Sequence, residues 1–500
     1  MSHRDKTFGP LRWSKQRISW TEKQTLGGQA VVGGHREDGK AMVDNEAIEQ
    51  LRNSIRGEVL VPEDDGYNPA REAFNAMINR KPALIARCTS AGDVIACVRL
   101  ARENHLLLAV RGGAHSVAGK GVCDGGLMID LSRMKGVRVD PVRRTVRAEC
   151  GLTLGDFDRE TQAFGLATTM GVASTTGIAG LTLGGGLGWL MGKYGLACDN
   201  LSSVDIVTAD GNLHIASASE NEDLFWGVRG GGGNFGVVTS LEYRLHEVGP
   251  VLGGAVVYPL AKAREVLHFY REFANACPDE LTTQALAFTT QAELPGVGVG
   301  VPIVAIGGCY CGSPTEGEKI LKPLRTFGEP IADIFGPIPY VALQSMFDDP
   351  YFLPGRQHYW KSNFLETLSD EAIDTFVNCS VNRSSSMTFV ALEHIHGAVS
   401  RVGPSETAFA HRQHPYNFSI FSIWSDPADD EKNITWTRTS WDAMQPFMAA
   451  GAYVNYLEEE GDTQARSAYG PNYERLVALK NKYDPTNFFR LNANIVPTVA

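Results

Sequence analysis

The sequence predicts an α+β protein of two domains, and three observations carry that reading. The chain has 500 residues, too many for one typical domain. Much of its glycine, 53 residues in all, is clustered in the first half, above all at 171–192. Beyond about residue 248 glycine thins out, and long strand patterns alternate with helical ones. The expected division is a polar arm over 1–45, a first domain over 46–247, a second over 248–444 and a C-terminal segment over 445–500.

Residues 45–56 predict a short helix, with Ile48, Leu51 and Ile55 at helical spacing. Residues 57–62 predict a short strand that stops at Pro62, and 82–88 a second. Ser90 caps the helix that follows, Asp93 favours its positive end, and Val94, Cys97, Val98 and Ala101 form its apolar face. The apolar run Leu106 to Val110 is a buried strand. It leads into Arg111-Gly112-Gly113-Ala114-His115-Ser116, a loop at a strand's carboxyl end, where ligands of α/β units bind. Two glycines let this backbone turn sharply, and the N–H groups of such a turn can form an anion-binding concavity. Arg111 adds charge and His115 a nucleophilic nitrogen. A loop that holds a diphosphate and attaches a flavin covalently needs these features; an ordinary turn with a surface histidine is the other reading.

Residues 127–132 predict a strand, 137–148 a hairpin turning near Asp140-Pro141, and 153–164 an amphipathic helix. No helix or strand tolerates the glycine density of 170–190 in its interior. That uncharged stretch is expected to wrap around a large planar or diphosphate ligand. A hairpin with an Asp210-Gly211 turn covers 204–215, and a short helix covers 221–228. Gly231-Gly232-Gly233-Asn234-Phe235-Gly236 matches GxGxxG but leads from a helix into a strand at 237–245. A dinucleotide fingerprint runs the other way, so no nicotinamide site is expected. In the second domain, strands at 251–258, 301–310, 387–395 and 418–424 alternate with helices at 261–274, 371–377 and 429–444. Residues 452–456 resume a strand, 473–483 form a helix, and a tail from Asp484 to Ile495 closes the pattern.

Composition narrows the function classes. Lys+Arg 46 against Asp+Glu 57, a net charge of -11, leaves no electrostatic footprint for nucleic acid. The nine cysteines fall singly apart from Cys309 and Cys311, without CxxC or zinc spacing, so no metal site is expected. Cys309-Tyr310-Cys311 alternates as two small core side chains would. This usage fits a reducing compartment, and a cytoplasmic location is expected. The polar N-terminus lacks the apolar core of a secretory leader and reads as a loosely docked arm. No run nears the roughly 20 apolar residues of a membrane span, so no membrane partner is expected.

Taken in order, these segments resemble the FAD-linked oxidases of the vanillyl-alcohol oxidase/PCMH superfamily. The branch they match is the berberine-bridge-enzyme-like group, which includes the 6-hydroxy-D-nicotine oxidase and sugar oxidase types. The loop from Arg111 to Ser116 is similar to the family's first FAD loop, and Gly177 to Trp189 to its second. Asp223 through Thr239 matches the end of its FAD domain. Tyr453-Val454-Asn455-Tyr456, Tyr469-Gly470-Pro471-Asn472-Tyr473 and Asp484-Pro485-Thr486-Asn487 match its C-terminal signature. The resemblance covers about 57–247 and 352–497. It implies a PCMH-type FAD-binding domain, a separate substrate domain built on an antiparallel sheet covered by helices, and a C-terminal segment that returns to the FAD domain.

The resemblance also implies FAD as cofactor. Its binding residues would be Arg111, Gly112, Gly113, Ala114, His115 and Ser116 of the first loop. Thr175, Gly177, Gly180, Gly185, Gly186, Gly188 and Trp189 would serve in the second, with Asn234, Gly236 and Val237 after it. Asn455, Asn492 and Asn494 would complete the set. His115 would bond to the flavin 8α position. Many members carry a second, cysteinyl link, but the aligned residue here is Ala173, so a single link is expected. Cys198, the nearest cysteine, reads as core. Asn492-Ala493-Asn494 stands where plant-type members have glutamine and serine, and looks more like the bacterial amine-oxidising members.

The implied reaction sends a hydride from a C–H bond to flavin N5 while a base removes an O–H or N–H proton. Tyr456 matches the family base. A phenol near pKa 10 needs a cation or dipole beside it to act at neutral pH, and Lys361 is the candidate. Packing on the isoalloxazine alone is the other role open to Tyr456, and Tyr453 reads as core. In Glu393-His394-Ile395-His396, alternation puts both histidines on one face of a strand and Glu393 on the other. His394 is the candidate to meet substrate; solvated or hydrogen-bonded histidines are the alternative, and no third residue completes a metal site. Tyr340, Phe347, Tyr351, Phe352, Tyr359, Trp360, Phe418 and Trp424 point to an apolar or aromatic alcohol or amine as substrate. The expected re-oxidant is O2; Thr176 sits near a position that governs oxygen access in relatives and does not decide the matter. A flavin dehydrogenase using another acceptor and a flavin-loaded drug-binding protein are the alternatives. Nothing in the sequence bears on oligomeric state.

Overall fold

The computed structural model describes residues 44–458 and 462–498, so the arm expected over 1–45 lies almost wholly outside the described residues. The architecture is α+β, as predicted. Two larger sheets and one two-stranded pairing, Leu166–Ala167 with His246–Glu247, build the first half. A four-stranded sheet runs in the order Glu58–Leu60, Leu84–Arg87, Leu127–Asp130, Leu108–Arg111. The last three strands are parallel and the first is antiparallel to its neighbour. Parallel strands need a crossover, and the helix Ala91–Glu103 supplies one. Ser90 caps it as expected, accepting the N–H of Asp93. Asp93 does more than meet the helix dipole, because its carboxylate accepts the N–H groups of Arg56, Gly57 and Thr89. A five-stranded antiparallel sheet follows, in the order Val137–Asp140, Thr145–Glu149, Val237–Arg244, Leu201–Val207, Leu213–Ser217. Residues of both sheets, among them Ala86, Ile129, Val204 and Leu241, share one apolar core.

An eight-stranded antiparallel sheet dominates the second half. Its main path is Ala332–Asp333, Val251–Pro259, Pro302–Tyr310, Leu281–Thr289, Phe389–His394, Tyr416–Trp424 and Gln357–Leu365, with Gly336–Ile338 paired to the second of these. The helices Ala263–Asn275, Asp370–Val381 and Asp430–Met444 cover one face, against Ala285, Ala287, Val390, Leu392, Phe418 and Ile420. The alternate residues Leu286, Phe389, Ala391 and Phe421 turn the other face toward the first half. The sequence reading lacks the strands Leu281–Thr289 and Gln357–Leu365 and the helix Pro314–Thr326. Gln357–Leu365 carries His358, Lys361, Ser362 and Asn363, which mask a strand that is buried on both faces.

Two local expectations are corrected. The stretch 452–456 is not a strand, because Val454–Tyr456 forms one 3-10 turn. The glycine-rich stretch contains a short helix, Ile178–Leu183, in spite of Gly180. The helix Tyr473–Tyr483 lies where predicted and ends in a fully buried ion pair, Lys480 Nζ to Asp484 Oδ2 at 2.7 Å. Lys480 also donates to the carbonyls of Asn234 and Phe489, and Asp484 accepts the N–H groups of Phe488 and Phe489. This network ties the C-terminal tail to the end of the first half. Asp484→Ala leaves a buried ammonium without its counter-charge and is expected to cost about 3–5 kcal/mol, read as a lowered unfolding midpoint.

Asp158, on the helix Leu154–Gln162, is fully buried, and neither carboxylate oxygen has a partner. Burial holds its carboxyl well above the usual range. The unfolded chain loses this proton near pH 4 while the folded chain keeps it. Stability from Asp158 is therefore complete below about pH 4 and falls by about 1.4 kcal/mol per pH unit above it, until the folded group itself ionises. Asp158→Asn should be the more stable protein at neutral pH, with an advantage over wild type that shrinks as pH falls toward 4. Paired thermal melts at pH 5 and pH 7 check this. All nine cysteines are free thiols. No described helix is long and apolar enough to cross a membrane.

Candidate active site

A cavity of about 320 Å³ lies between the loops of the first half and the open face of the large sheet. Arg111, Gly112, Gly113, Ala114, His115 and Ser116 line it from the first loop, and Ala173, Thr176, Gly177 and Gly180 from the second. Gly236, Val237, Asn455 and Asn492 line it as well. The large sheet supplies Gln284, Trp360, Phe389, Ala391, Glu393 and Phe421, and the C-terminal segment adds Tyr456. The two glycine loops meet backbone to backbone. A Cβ on Gly113 would lie 2.4 Å from the Gly177 nitrogen, and one on Gly177 equally close to the Gly113 nitrogen. Any side chain at either position would drive the loops apart.

Ala114 adopts φ +58, a left-handed conformation that is uncommon for a residue with a Cβ, and His115 follows it into the cavity wall. The imidazole stacks on Phe74 at 4.0 Å, and Phe74 stacks in turn on His358 at 4.2 Å. Thr175 Oγ1 lies 3.2 Å from His115 Nε2. Burial lowers the His115 pKa to about 4, so the ring is neutral at pH 7 and retains a lone pair on one nitrogen.

Several residues expected at the cofactor do not line the cavity. Thr175 reaches it only through His115. Gly186 donates its N–H to Tyr453 Oη, as does Leu187, both at 3.2 Å. Gly185 accepts from the Cys198 N–H through its carbonyl. Gly188 packs so tightly that a Cβ would fall 1.4 Å from the Met170 carbonyl oxygen. Trp189 is buried and stacked on Phe347. Asn234 holds the tail, donating to the carbonyls of Gly231 and Ala493 and accepting the Ile495 N–H. Asn494 has a buried, unpartnered Oδ1 and is not among the lining residues. These residues shape the cradle from behind. Arg111 turns one guanidinium nitrogen to the Ala70 carbonyl. Its Nε is buried without a partner in the chain, a donor left for a ligand at the loop end.

On the sheet side two expectations are overturned by strand parity. Trp360 faces the cavity, so its neighbour Lys361 faces away, with Nζ 4.4 Å from the Trp441 ring on the covering helix Asp430–Met444. His394 shares the face of Val390 and Leu392, where its ring stacks on His396 at 4.5 Å, outside the cavity. Glu393, which sequence reasoning passed over, is the residue of that strand that lines the cavity. Tyr456 donates to Glu393 Oε1 at 3.3 Å, and Asn417 Nδ2 donates to Oε2 at 2.7 Å. Burial pushes the Glu393 carboxyl up to about 7, against the opposing pull of hydrogen bonds from Asn417, Tyr456 and Ser419. The Tyr456 phenol is held well above its ordinary value, first by burial and then by Glu393. A lysine-activated Tyr456 is thus replaced by a tyrosine–carboxyl pair. The available signal was a lone acidic residue in an apolar strand, on the same face as Phe389 and Ala391.

Residues 82–217 match the FAD binding domain family, and residues 452–496 match the berberine and berberine-like family. An FAD-linked oxidoreductase of Dictyostelium discoideum is 34% identical over 457 residues, covering 90% of this chain and 97% of the relative. The chain belongs to the PCMH-type FAD-linked oxidoreductases with a berberine-like C-terminal segment. Another relative of this FAD-linked oxidoreductase is the (R)-6-hydroxynicotine oxidase of Paenarthrobacter nicotinovorans, 31% identical over 465 residues, 89% of this chain and 97% of that one. The crystal structure of 6-hydroxy-D-nicotine oxidase from Arthrobacter nicotinovorans aligns with a TM-score of 0.80 at 29% identity, covering 88% of this chain and 98% of that one. The cavity of this oxidoreductase suits FAD. Glycine backbone and the free Arg111 donor lie on its loop side, and a neutral imidazole with an aromatic sheet face forms its wall. None of the described lining residues is a cysteine, and Ala173 is among them.

Proposed function

We propose that this enzyme oxidises a C–H bond beside a hydroxyl or amino group of a small organic molecule, with O2 as re-oxidant. The observation that carries the reading is the Tyr456–Glu393 pair on the cavity wall. Bound FAD supplies the two-electron acceptor for the hydride. The backbone of the 112–116 and 173–180 loops holds the cofactor, and His115 is its single covalent anchor. Thr175 Oγ1 lies beside Nε2, and the neutral ring keeps a lone pair on one nitrogen to form the bond. Glu393 accepts the substrate's O–H or N–H proton. Tyr456 and Asn417 orient its two oxygens, and the rings of Trp360, Phe389 and Phe421 exclude water from the reacting atoms.

Anaerobic mixing of the yellow protein with a panel of alcohols and amines tests this reading. Bleaching by at least one substrate, followed by recovery of colour and hydrogen peroxide on admission of air, is the expected result. Recovery only with an added electron carrier would replace O2 by another acceptor. A flavin that no alcohol or amine bleaches would overturn the proposal.

A further inference from the structure

We propose that Phe74 and His358 position the His115 ring for its bond to the cofactor, so that the large sheet of the second half takes part in covalent attachment. This rests on the single covalent link read above and adds how the ring is set for it. The three rings form one column. Phe74 lies between the other two, 4.0 Å from His115 at an interplanar angle of 16° and 4.2 Å from His358 at 29°. His115 comes from the first cofactor loop, Phe74 from the segment after the short helix Tyr67–Arg71, and His358 from the strand Gln357–Leu365.

Hydrogen bonds fix the backbone on both sides of the column. The Phe74 N–H donates to the Ala114 carbonyl at 3.1 Å. Its buried neighbour Asn75 donates through Nδ2 to the carbonyls of Val117 and His358, at 2.8 and 2.9 Å, and accepts the His358 N–H at 3.0 Å. One side chain thus ties the backbone just past His115 to the backbone of His358. The His358 ring is fully buried, and neither of its nitrogens has a hydrogen-bond partner among the described residues. Burying an unbonded imidazole is costly. What the ring contributes is its flat face against Phe74.

The effect of the column follows from the geometry of an imidazole. The ring turns about a broad, two-fold torsion, and only part of that turn aims a nitrogen lone pair at a given carbon. A flat neighbour at stacking distance sets the ring plane, and Thr175 Oγ1, 3.2 Å from Nε2, selects between the two flips. Freedom removed beforehand is not lost again in the bond-forming step. In that step one N–H bond of His115 and one C–H bond of the cofactor's 8α-methyl break, and one N–C bond forms. The methyl carbon gives up two electrons, which reduce the flavin together with the two protons released. O2 then takes up both electrons and both protons as hydrogen peroxide, so atoms and electrons balance.

The test mixes full-length apoprotein, made in cells starved of riboflavin, with FAD in air. The fast quench of FAD fluorescence gives the dissociation constant before the bond forms. Acid-stable flavin against time, at saturating FAD, gives the rate of bond formation. Phe74→Leu keeps apolar bulk but cannot stack. It should bind FAD within about threefold of wild type and form the bond at least about tenfold more slowly. His358→Leu should also be slow. His358→Phe keeps a flat ring and breaks no hydrogen bond, so it should form the bond at the wild-type rate. Bond formation at the wild-type rate in Phe74→Leu would overturn the proposal, as would a slowing that His358→Phe shares with His358→Leu. If Phe74→Leu does not fold, the two His358 variants decide. Wild-type protein that forms no acid-stable flavin would overturn the covalent reading and this proposal with it. Wild-type protein and variants that bond equally fast would remove the positioning role alone.

Discussion

His115→Ala protein is expected to release all its flavin on acid precipitation, whereas wild-type protein keeps the yellow colour in the pellet. The effect is all-or-none because one bond is at stake. Ala173 supplies no second anchor, and none of the described residues lining the cavity is a cysteine. The local physics favours bond formation. A protonated imidazole has no lone pair to offer, and burial keeps His115 neutral down to about pH 4. Phe74 on one face and Thr175 at Nε2 hold the ring in one orientation. The variant should still bind FAD reversibly, since the glycine loops and Arg111 are untouched. Wild-type flavin that came off in acid would refute the linkage.

The second large effect is expected at Glu393. Glu393→Gln should slow anaerobic flavin reduction by about 10²–10⁴-fold, the usual worth of a positioned proton acceptor. The pH profile separates this role from a structural one. In the free enzyme Glu393 titrates near 7, so it is protonated and inactive as a base below that pH and ionised above it. The second-order rate of flavin reduction in wild type should therefore climb with pH through about 7 and then level off. The glutamine variant should be slow and lack that limb. A variant that reduced its flavin at the wild-type rate would remove Glu393 from the mechanism.

Much of the cofactor side was legible because its demands are local. A strand that ends in Gly112-Gly113 before a histidine states a turn, a close approach and a reactive nitrogen within a few residues. The expectation for Gly177 had the same basis, and Gly113 and Gly177 do pack backbone against backbone. Strand Gln357–Leu365 was not legible. Burial on both faces of a sheet admits polar residues wherever partners exist, and this erases the alternation that marks a strand. The expected strand at 452–456 failed for a different reason, since tertiary contacts override its pattern. Tyr453 and Tyr456 point as they do because a 3-10 turn places one phenol on the Gly186–Leu187 backbone and the other on Glu393.

From the chain alone came the α+β class and the glycine-rich loops that line the cavity, and the family resemblance added the expectation of one covalent link, at His115 and not at Ala173. Each depends on residues close together in sequence, or on a motif that one kind of backbone turn requires. The folded molecule alone settled which side chains face the cavity. Alternation separates Glu393 from His394 and Trp360 from Lys361, but it is symmetric with respect to the two faces of a strand. The symmetry is broken only when the helices Asp370–Val381 and Asp430–Met444 cover one face of the sheet. That docking sends His394 and Lys361 to the covered side and turns Glu393 toward the cavity.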